Sequence, residues 1–289
     1  MNAPAPQLEA VSPMKKVNQK EIENALRDLG LEGKDIAVHS SLRSFGHAVG
    51  GAQAVVDAFI NVCSTILMPS FCELGRTNPP QDDRPIQNGW DYNGYTRDSD
   101  GLIPFDPSTF NANSEINIAE MGNIPAAFLK TKDTKRSKHP SVSWAAHGPF
   151  AEWYVSGHEA NNPNYPLKKL LEKQGFVILV GVGLSECTAI HLAEEIAGRR
   201  AFIRWVLFAD GTIHRVREYG CSDGFNNLLP YLEDNANKLT IGECSVMSFP
   251  IKTLIDATVD IIKANPKITL CGQQTLCRCQ DSVKGGPIE

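Results

Sequence analysis

The chain has 289 residues, a formal net charge of −5, 42% hydrophobic residues and 21% charged residues. This is an ordinary globular composition for one large α/β domain or two small ones, long enough to bury a core without disulfides or metals. The acidic balance argues against a nucleic-acid-binding face, and no apolar run is long enough to span a membrane.

The N-terminal "MNAPAPQLEAVSPMKK" lacks the charged-then-apolar layout of a signal peptide. Residues 1–17 therefore read as a disordered, Ala- and Pro-rich leader, and a cytoplasmic location is expected. Residues 18–30, "NQKEIENALRDLG", have helical periodicity and stop at a glycine. "DIAVHSSL" (35–42) reads as a buried strand, "GGAQAVVDAFINV" (50–62) as an amphipathic helix, and "TILMPSF" (65–71) as a second strand. This β-α-β order predicts a mixed or mostly parallel central sheet flanked by helices.

Residues 72–120 show no sustained periodicity and are rich in Pro, Asn, Asp and Gly. Between 82 and 106 there are six acids (Asp82, Asp83, Asp91, Asp98, Asp100, Asp106) and two bases (Arg84, Arg97), a local balance of 2 − 6 = −4. That composition fits either a solvated loop or a wall that attracts a cationic ligand.

"MGNIPAAFLKT" predicts a helix. "KRSKHPSVSWAAHGPFAEWYVSGH" (135–158) predicts a basic start, a His-Pro turn, a short strand and a helix. "YPLKKLLEKQG" is a helix with Pro166 in its first turn, and "FVILVGV" (176–182) is a buried strand. A hairpin around "ADGT", a helix near 225–236 and a final strand-helix pair complete the order. No repeat or linker divides the chain, so one domain is expected over 18–280, followed by a tail at 281–289.

Cysteines stand at 63, 72, 187, 221, 244, 271, 277 and 279. Free thiols are expected without a signal peptide. Cys271, Cys277 and Cys279 cluster near the C-terminus, but a structural zinc usually takes four ligands in paired short spacings and no fourth is evident nearby. No metal is expected.

The densest chemistry is "GLSECTAIHLAEE" (183–195), directly after the 176–182 strand. On a helix, Thr188, His191, Glu194 and Glu195 fall near one face. A carboxylate beside an imidazole fixes its tautomer and suits a general base. Three other readings stand beside it: a surface His–Glu pair, a metal site that lacks its partner helix, and a Cys187 thiolate activated by His191. "VHSSLRSFGHAVGG" (38–51) offers hydroxyls, backbone N–H groups and a cation in a strand-to-helix connection, as a phosphate site would. The bases of "KRSKHPSVS" fit a solvated patch or a phosphorylated cofactor.

"VHSSLRSFGHAVGG", "TILMPSF", "FDPSTFN…MGNIPAAF", "KRSKHPSVSWAAHG" and "VGVGLSECTAIHLAEE", in this order over roughly 20–280, resemble the aminoglycoside 3-N-acetyltransferase family, or antibiotic N-acetyltransferases. The resemblance implies an α/β fold distinct from the GNAT acetyltransferases. It implies acetyl transfer from acetyl-CoA to an amine, classically the 3-amino group of a 2-deoxystreptamine aminoglycoside, without a metal. His39, Ser40, Ser41, Leu42, Arg43, Ser44, Phe45 and Gly46 would line the coenzyme A site, bordered by His139, Pro140 and Ser143. His191 would be the base and Glu194 its carboxylate, with Thr188 and Ser40–Ser41 offering donors to the thioester oxyanion. Asp82, Asp83, Asp91, Asp106 and Glu195 are the expected contacts to a cationic substrate. A homodimer stays open. Two departures bear on the acceptor and mechanism: Cys187 replaces the Asn or Asp common before the family's Thr, and the 72–104 loop, with "NGWDY", is long.

Overall fold

A computed structural model of the chain describes residues 15–72, 74–92, 110–273 and 277–289. Asp98, Asp100 and Asp106 of the acidic stretch and most of the expected leader lie outside these residues. The described strands are β1 (Lys16–Val17), β2 (Ile36–Ser40), β3 (His47–Ala48), β4 (Ile66–Pro69), β5 (Arg76–Thr77), β6 (Lys135–Arg136), β7 (Trp144–His147), β8 (Phe176–Val180), β9 (Phe202–Leu207), β10 (Ile213–Glu218), β11 (Asn237–Ile241) and β12 (Cys244–Pro250). The α-helices are α1 (Gln19–Asp28), α2 (Gly51–Val62), α3 (Ile118–Met121), α4 (Asn123–Lys130), α5 (Ala151–Val155), α6 (Tyr165–Glu172), α7 (Ala189–Ile196), α8 (Leu229–Leu232), α9 (Ile251–Ala264) and α10 (Gln280–Val283).

A seven-stranded mixed sheet in the order β11-β12-β8-β2-β4-β7-β6 organises the chain. Its centre, β8-β2-β4, is parallel, and the flanking pairs are antiparallel. The central strands read as unbroken apolar runs because they are buried on both faces. Their side chains alternate between two cores. Ile36, Val38, Ile178 and Val180 face a cluster with α1, α2 and α4. Ala37, Val177 and Leu179 face a second cluster with α5, α6, α7 and α9. The result is a single three-layer α/β unit, as the element order predicts.

Local chemistry sets the element ends. Asn18 caps α1 in a reciprocal capping box with Glu21. Asp35, at the edge of β2, accepts from Thr65 N (3.1 Å) and from the Tyr154 hydroxyl (2.9 Å), tying β2 to α5. Gly181, just after β8, has φ +66°, and a Cβ there would lie 1.8 Å from Ser44 Oγ. The absence of a side chain at 181 lets the 41–46 turn close over the strand end.

Four expectations change. Residues 16–17 are not leader: β1 pairs with β3, and Val17 is buried. Residues 281–289 pack onto the domain, with Gly285 O accepting from Arg200 N at 3.0 Å and Ile288 bridging to Ile86. The helix expected near 225–236 is α8 flanked by two 3₁₀ turns, with Pro230 at its start. Part of the 72–120 stretch is ordered: β5 joins β9 and β10 in a three-stranded sheet, and Asn88 donates to Ile203 O (3.0 Å) and accepts from Ile203 N (2.7 Å).

Gly181→Ala should lower stability by about 2 kcal/mol or more, because it combines a left-handed backbone with a steric clash. Chemical denaturation of the variant measures this; Gly30→Ala, which has the same backbone sign but open space, is the lighter control.

Candidate active site

The carboxyl ends of β2, β4 and β8 open onto a cleft of about 520 Å³. Open α/β sheets place ligands at this position. Its walls are the 39–43 turn after β2, Pro69 at the end of β4, the 118–125 segment and the 182–186 connection after β8. That connection leads straight into α7, which carries His191.

His191 is buried and held on several sides. Its Nδ1 donates to Glu194 Oε2 at 2.9 Å. Its ring stacks on Tyr219, with centroids 4.8 Å apart and planes 6° from parallel, and meets Phe225 edge-on at 4.8 Å. Tyr219 is a platform and not an acid: its hydroxyl donates to Pro163 O at 2.6 Å, and burial pushes the phenol up. With Nδ1 committed to Glu194, the lone pair is left on Nε2.

Glu194 holds His191 from a fixed base. Its second oxygen accepts from Arg199 Nη1. Arg199 also donates to Thr269 Oγ1 (2.7 Å) and to Pro266 O (2.6 Å), both in the segment after α9. Glu195 diverges from Glu194 and accepts from Asn164 Nδ2 (2.8 Å) and Lys168 Nζ (2.7 Å). It lines, with His191 and Tyr219, a much smaller cavity of about 20 Å³. Thr188 is a buried residue at the start of α7, and its carbonyl accepts from His191 N.

The 39–46 segment divides. His39, Ser40, Ser41, Leu42 and Arg43 line the large cleft. Ser44, Phe45 and Gly46 do not. Ser44 Oγ is tied to Ser41 O (2.7 Å) and Cys244 Sγ (3.1 Å), Phe45 is core, and Gly46 ends the turn at φ +72°. His39 Nε2 and Ser40 Oγ are buried with no hydrogen-bond partner among the described residues.

The "KRSKHPSVS" segment is structural. His139 Nδ1 accepts from Val142 N (3.1 Å), Nε2 donates to Arg217 O (3.0 Å), and the ring packs on His158. Ser143 Oγ donates to Ser70 O (2.6 Å) and accepts from Arg136 Nε (3.1 Å). The guanidinium of Arg136 also reaches Ser70 O and Ser114 O and lies over Phe110. His139 and Ser143 are thus not cleft residues, and Arg136 is spent inside the fold.

Asp83 is spent too. It pairs with Arg215 and accepts from Trp205 Nε1 at 2.7 Å, and Arg215 holds its carboxyl below the usual range. It anchors the 74–92 segment on the β9-β10 hairpin. Asp82 and Asp91 lie in the same described segment. Cys187 is fully buried in the core, and burial pushes its thiol up to about 12; an accessible thiolate does not form there.

Sequence reasoning missed Tyr219, Arg199 and the 118–123 wall. "MGN" was visible as part of a motif but had no role attached. Tyr219 and Arg199 reach the site from other elements, so no local spacing marks them.

The fold and site together define a three-layer α/β protein with a strand-end cleft and, on the helix that follows it, a carboxylate-oriented histidine that lines a separate small cavity. The family model described as aminoglycoside 3-N-acetyltransferase matches residues 37–263, and the chain belongs to that family. It is similar to aminoglycoside N(3)-acetyltransferase IX of Micromonospora chalcea, with 27% identity over 64% of this chain and 64% of that protein. It is also similar to the prophage-derived aminoglycoside N(3')-acetyltransferase-like protein YokD of Bacillus subtilis, with 32% identity over 61% and 64% of the two chains. The match thus spans a little under two thirds of these relatives. Among solved structures, AAC-IIIb in binary complex with CoASH superposes with a TM-score of 0.68 at 20% identity, covering 86% of this chain and 97% of that one, which shows a shared fold.

Replacing Arg199 with Met should cost about 3 kcal/mol or more, because Glu194 is left as a buried carboxylate without its cation; urea unfolding of the variant reads this directly. Acid should destabilise the protein through three buried neutral imidazoles. Burial lowers His39 to about 3, His139 to about 4 and His158 to about 2. Above the ordinary value of about 6.5, neither folded nor unfolded chain binds these protons. Below it the unfolded chain binds them and the folded chain does not, so stability falls as pH drops from about 6.5 to 4, by up to about 1.4 kcal/mol per pH unit for each histidine. A denaturation midpoint that stays flat between pH 7 and pH 5 would contradict this.

Proposed function

We propose that the chain is an acetyl-CoA-dependent N-acetyltransferase acting on an amino group of an aminoglycoside, the 3-amino group of 2-deoxystreptamine, with His191 as general base. The observation that carries this reading is the His191 ring. Its Nδ1 is fixed by Glu194, its plane is fixed by Tyr219, and its Nε2 is left to take a proton.

The acceptor nitrogen attacks the thioester carbonyl carbon while His191 Nε2 takes its proton. The C–N bond forms, the tetrahedral intermediate collapses with cleavage of the C–S bond, and coenzyme A leaves as a thiolate that recovers the proton. Thr188 and the Ser40–Ser41 hydroxyls are the donors offered to the oxyanion. The large cleft suits the long coenzyme. Arg43 and the first residues of α4 line it and are the groups offered to phosphate, beside the carboxylates of Glu120 and Glu186. The unpaired His39 Nε2 and Ser40 Oγ gain partners when a ligand fills it. The exposed Asp82 and Glu195, which lines the cavity beside His191 while it holds Lys168, are the acidic groups proposed to meet a polycation. Burial of Cys187 favours direct transfer over an acyl-thioester on the enzyme.

Thiol release from acetyl-CoA, followed with a thiol-reactive dye across 2-deoxystreptamine aminoglycosides and simpler amines, tests the reading. Release is expected with the aminoglycosides. His191→Ala should lose about 10²-fold or more in rate while coenzyme A still binds, and Cys187→Ala should keep its rate. An unchanged His191→Ala rate would overturn the base assignment. Release with simple amines alone would keep the cleft and replace the acceptor.

A further inference from the structure

Four cysteines converge beside the candidate active site, and the acetyl-transfer reading uses none of them. Cys221 follows β10, Cys271 follows α9, and Cys277 and Cys279 precede α10. Their sulfur atoms all lie within 4.8 Å of one another, and Cys271 Sγ and Cys279 Sγ are 3.6 Å apart. No disulfide joins them. A tetrahedral ion with metal–sulfur bonds of about 2.3 Å sets its sulfur atoms about 3.8 Å apart, within the spread observed here. Cys221 is the fourth ligand that the sequence did not reveal, since it stands far upstream of the other three.

We propose that Cys221, Cys271, Cys277 and Cys279 bind one Zn²⁺ ion in a closed structural site. Four thiolates in so compact a group favour a single soft divalent ion, whereas an iron–sulfur cluster spreads its thiolates around an inorganic core. Gln273 N donates toward Cys271 Sγ at 3.4 Å, the kind of contact that steadies a metal-bound thiolate. Binding converts four thiols and Zn²⁺ into a tetrathiolate complex of charge −2 and releases four protons. No coordination position is left for substrate, so the ion holds structure and does not activate the thioester.

The site lies where such a clamp matters. Cys221 is two residues after Tyr219, the platform under His191. Cys271 is two residues after Thr269, which holds Arg199 and through it Glu194. Cys279 is two residues before Asp281, which accepts from Gly89 N at 3.1 Å. The two metal-joined segments already touch: Asn227 Nδ2 donates to Ile268 O at 3.0 Å, and a Cβ on Gly224 would lie 2.3 Å from Thr269 O. One ion therefore pins the wall behind His191, the anchor of its carboxylate and the C-terminal segment to one another.

Metal content is the test, and it does not depend on the acetyl-transfer reading. The full chain, purified without chelator, is measured by elemental mass spectrometry, and its thiols are titrated before and after a mercurial displaces the metal. About one zinc per chain is expected, with four thiols masked until the mercurial is added. Exchange with Co²⁺ should give the visible absorption of tetrahedral thiolate coordination. Cys221→Ser and Cys277→Ser should each bind zinc about tenfold more weakly or worse. Because a ligand variant can fail to fold, the unaltered chain decides the matter. Fewer than about one zinc in ten chains after incubation with equimolar zinc, with Cys221, Cys271 and Cys277 reacting freely, would overturn the site. So would peptide mapping that finds disulfides among these four residues.

Discussion

The site depends on the carboxylate of Glu194. One oxygen receives His191 Nδ1–H and the other receives Arg199, and all three side chains are buried. A buried carboxylate is costly unless its lone pairs are filled and its charge is matched. Here the fold fills them from two directions: from within its own helix, and from an arginine held by the segment after α9. The histidine is therefore oriented by long-range packing as much as by its neighbours in sequence. This network fixes the orientation of the imidazole, which the proposed general-base role requires.

The location of the large cleft follows from the sheet. Strands β8, β2 and β4 are parallel and covered by helices on both faces. Only their ends are open. At the carboxyl ends the chain must leave each strand through a loop, and those loops, 39–43 and 182–186, become the cleft walls. Gly181 lets the two loops approach closely. The same constraint explains why Ser44 and Phe45 turn away: the turn after β2 is short, and its second half plugs the core.

Charge and thiol chemistry are distributed in a way that composition conceals. Arg136 and Asp83, read as members of basic and acidic patches, each serve inside the fold. Arg136 organises Ser70, Ser114 and Ser143, and Asp83 fastens the 74–92 segment to the β9-β10 hairpin. The cysteines divide similarly. Cys187 behaves as a small core residue, whereas four others come together from distant positions near the chain's end. Residues 281–289, which look like a tail in sequence, are held by Arg200 and by a bridge to Ile86.

Much of this protein was legible in its sequence because the signals are local. Apolar runs bounded by turn residues marked β2, β4 and β8. The capping residue Asn18 and helical periodicity marked α1, and the spacing in "CTAIHLAEE" placed His191 and Glu194 on one helical face. The ordered motifs identified the family, and part of the turn read as a ligand loop, residues 39–43, lines the large cleft. Tertiary structure alone decided the rest, since partners that meet across long sequence separations leave no periodic trace. It decided that Tyr219 lies under His191 and that Arg199 holds Glu194, that Cys187 is core, and that His139 and Ser143 are structural. It also decided that Cys221 joins three cysteines that follow it by many residues. For the buried groups the deciding quantity is burial, which determines whether a polar group must find a partner, and for the cysteines it is the convergence of distant segments; sequence spacing encodes neither.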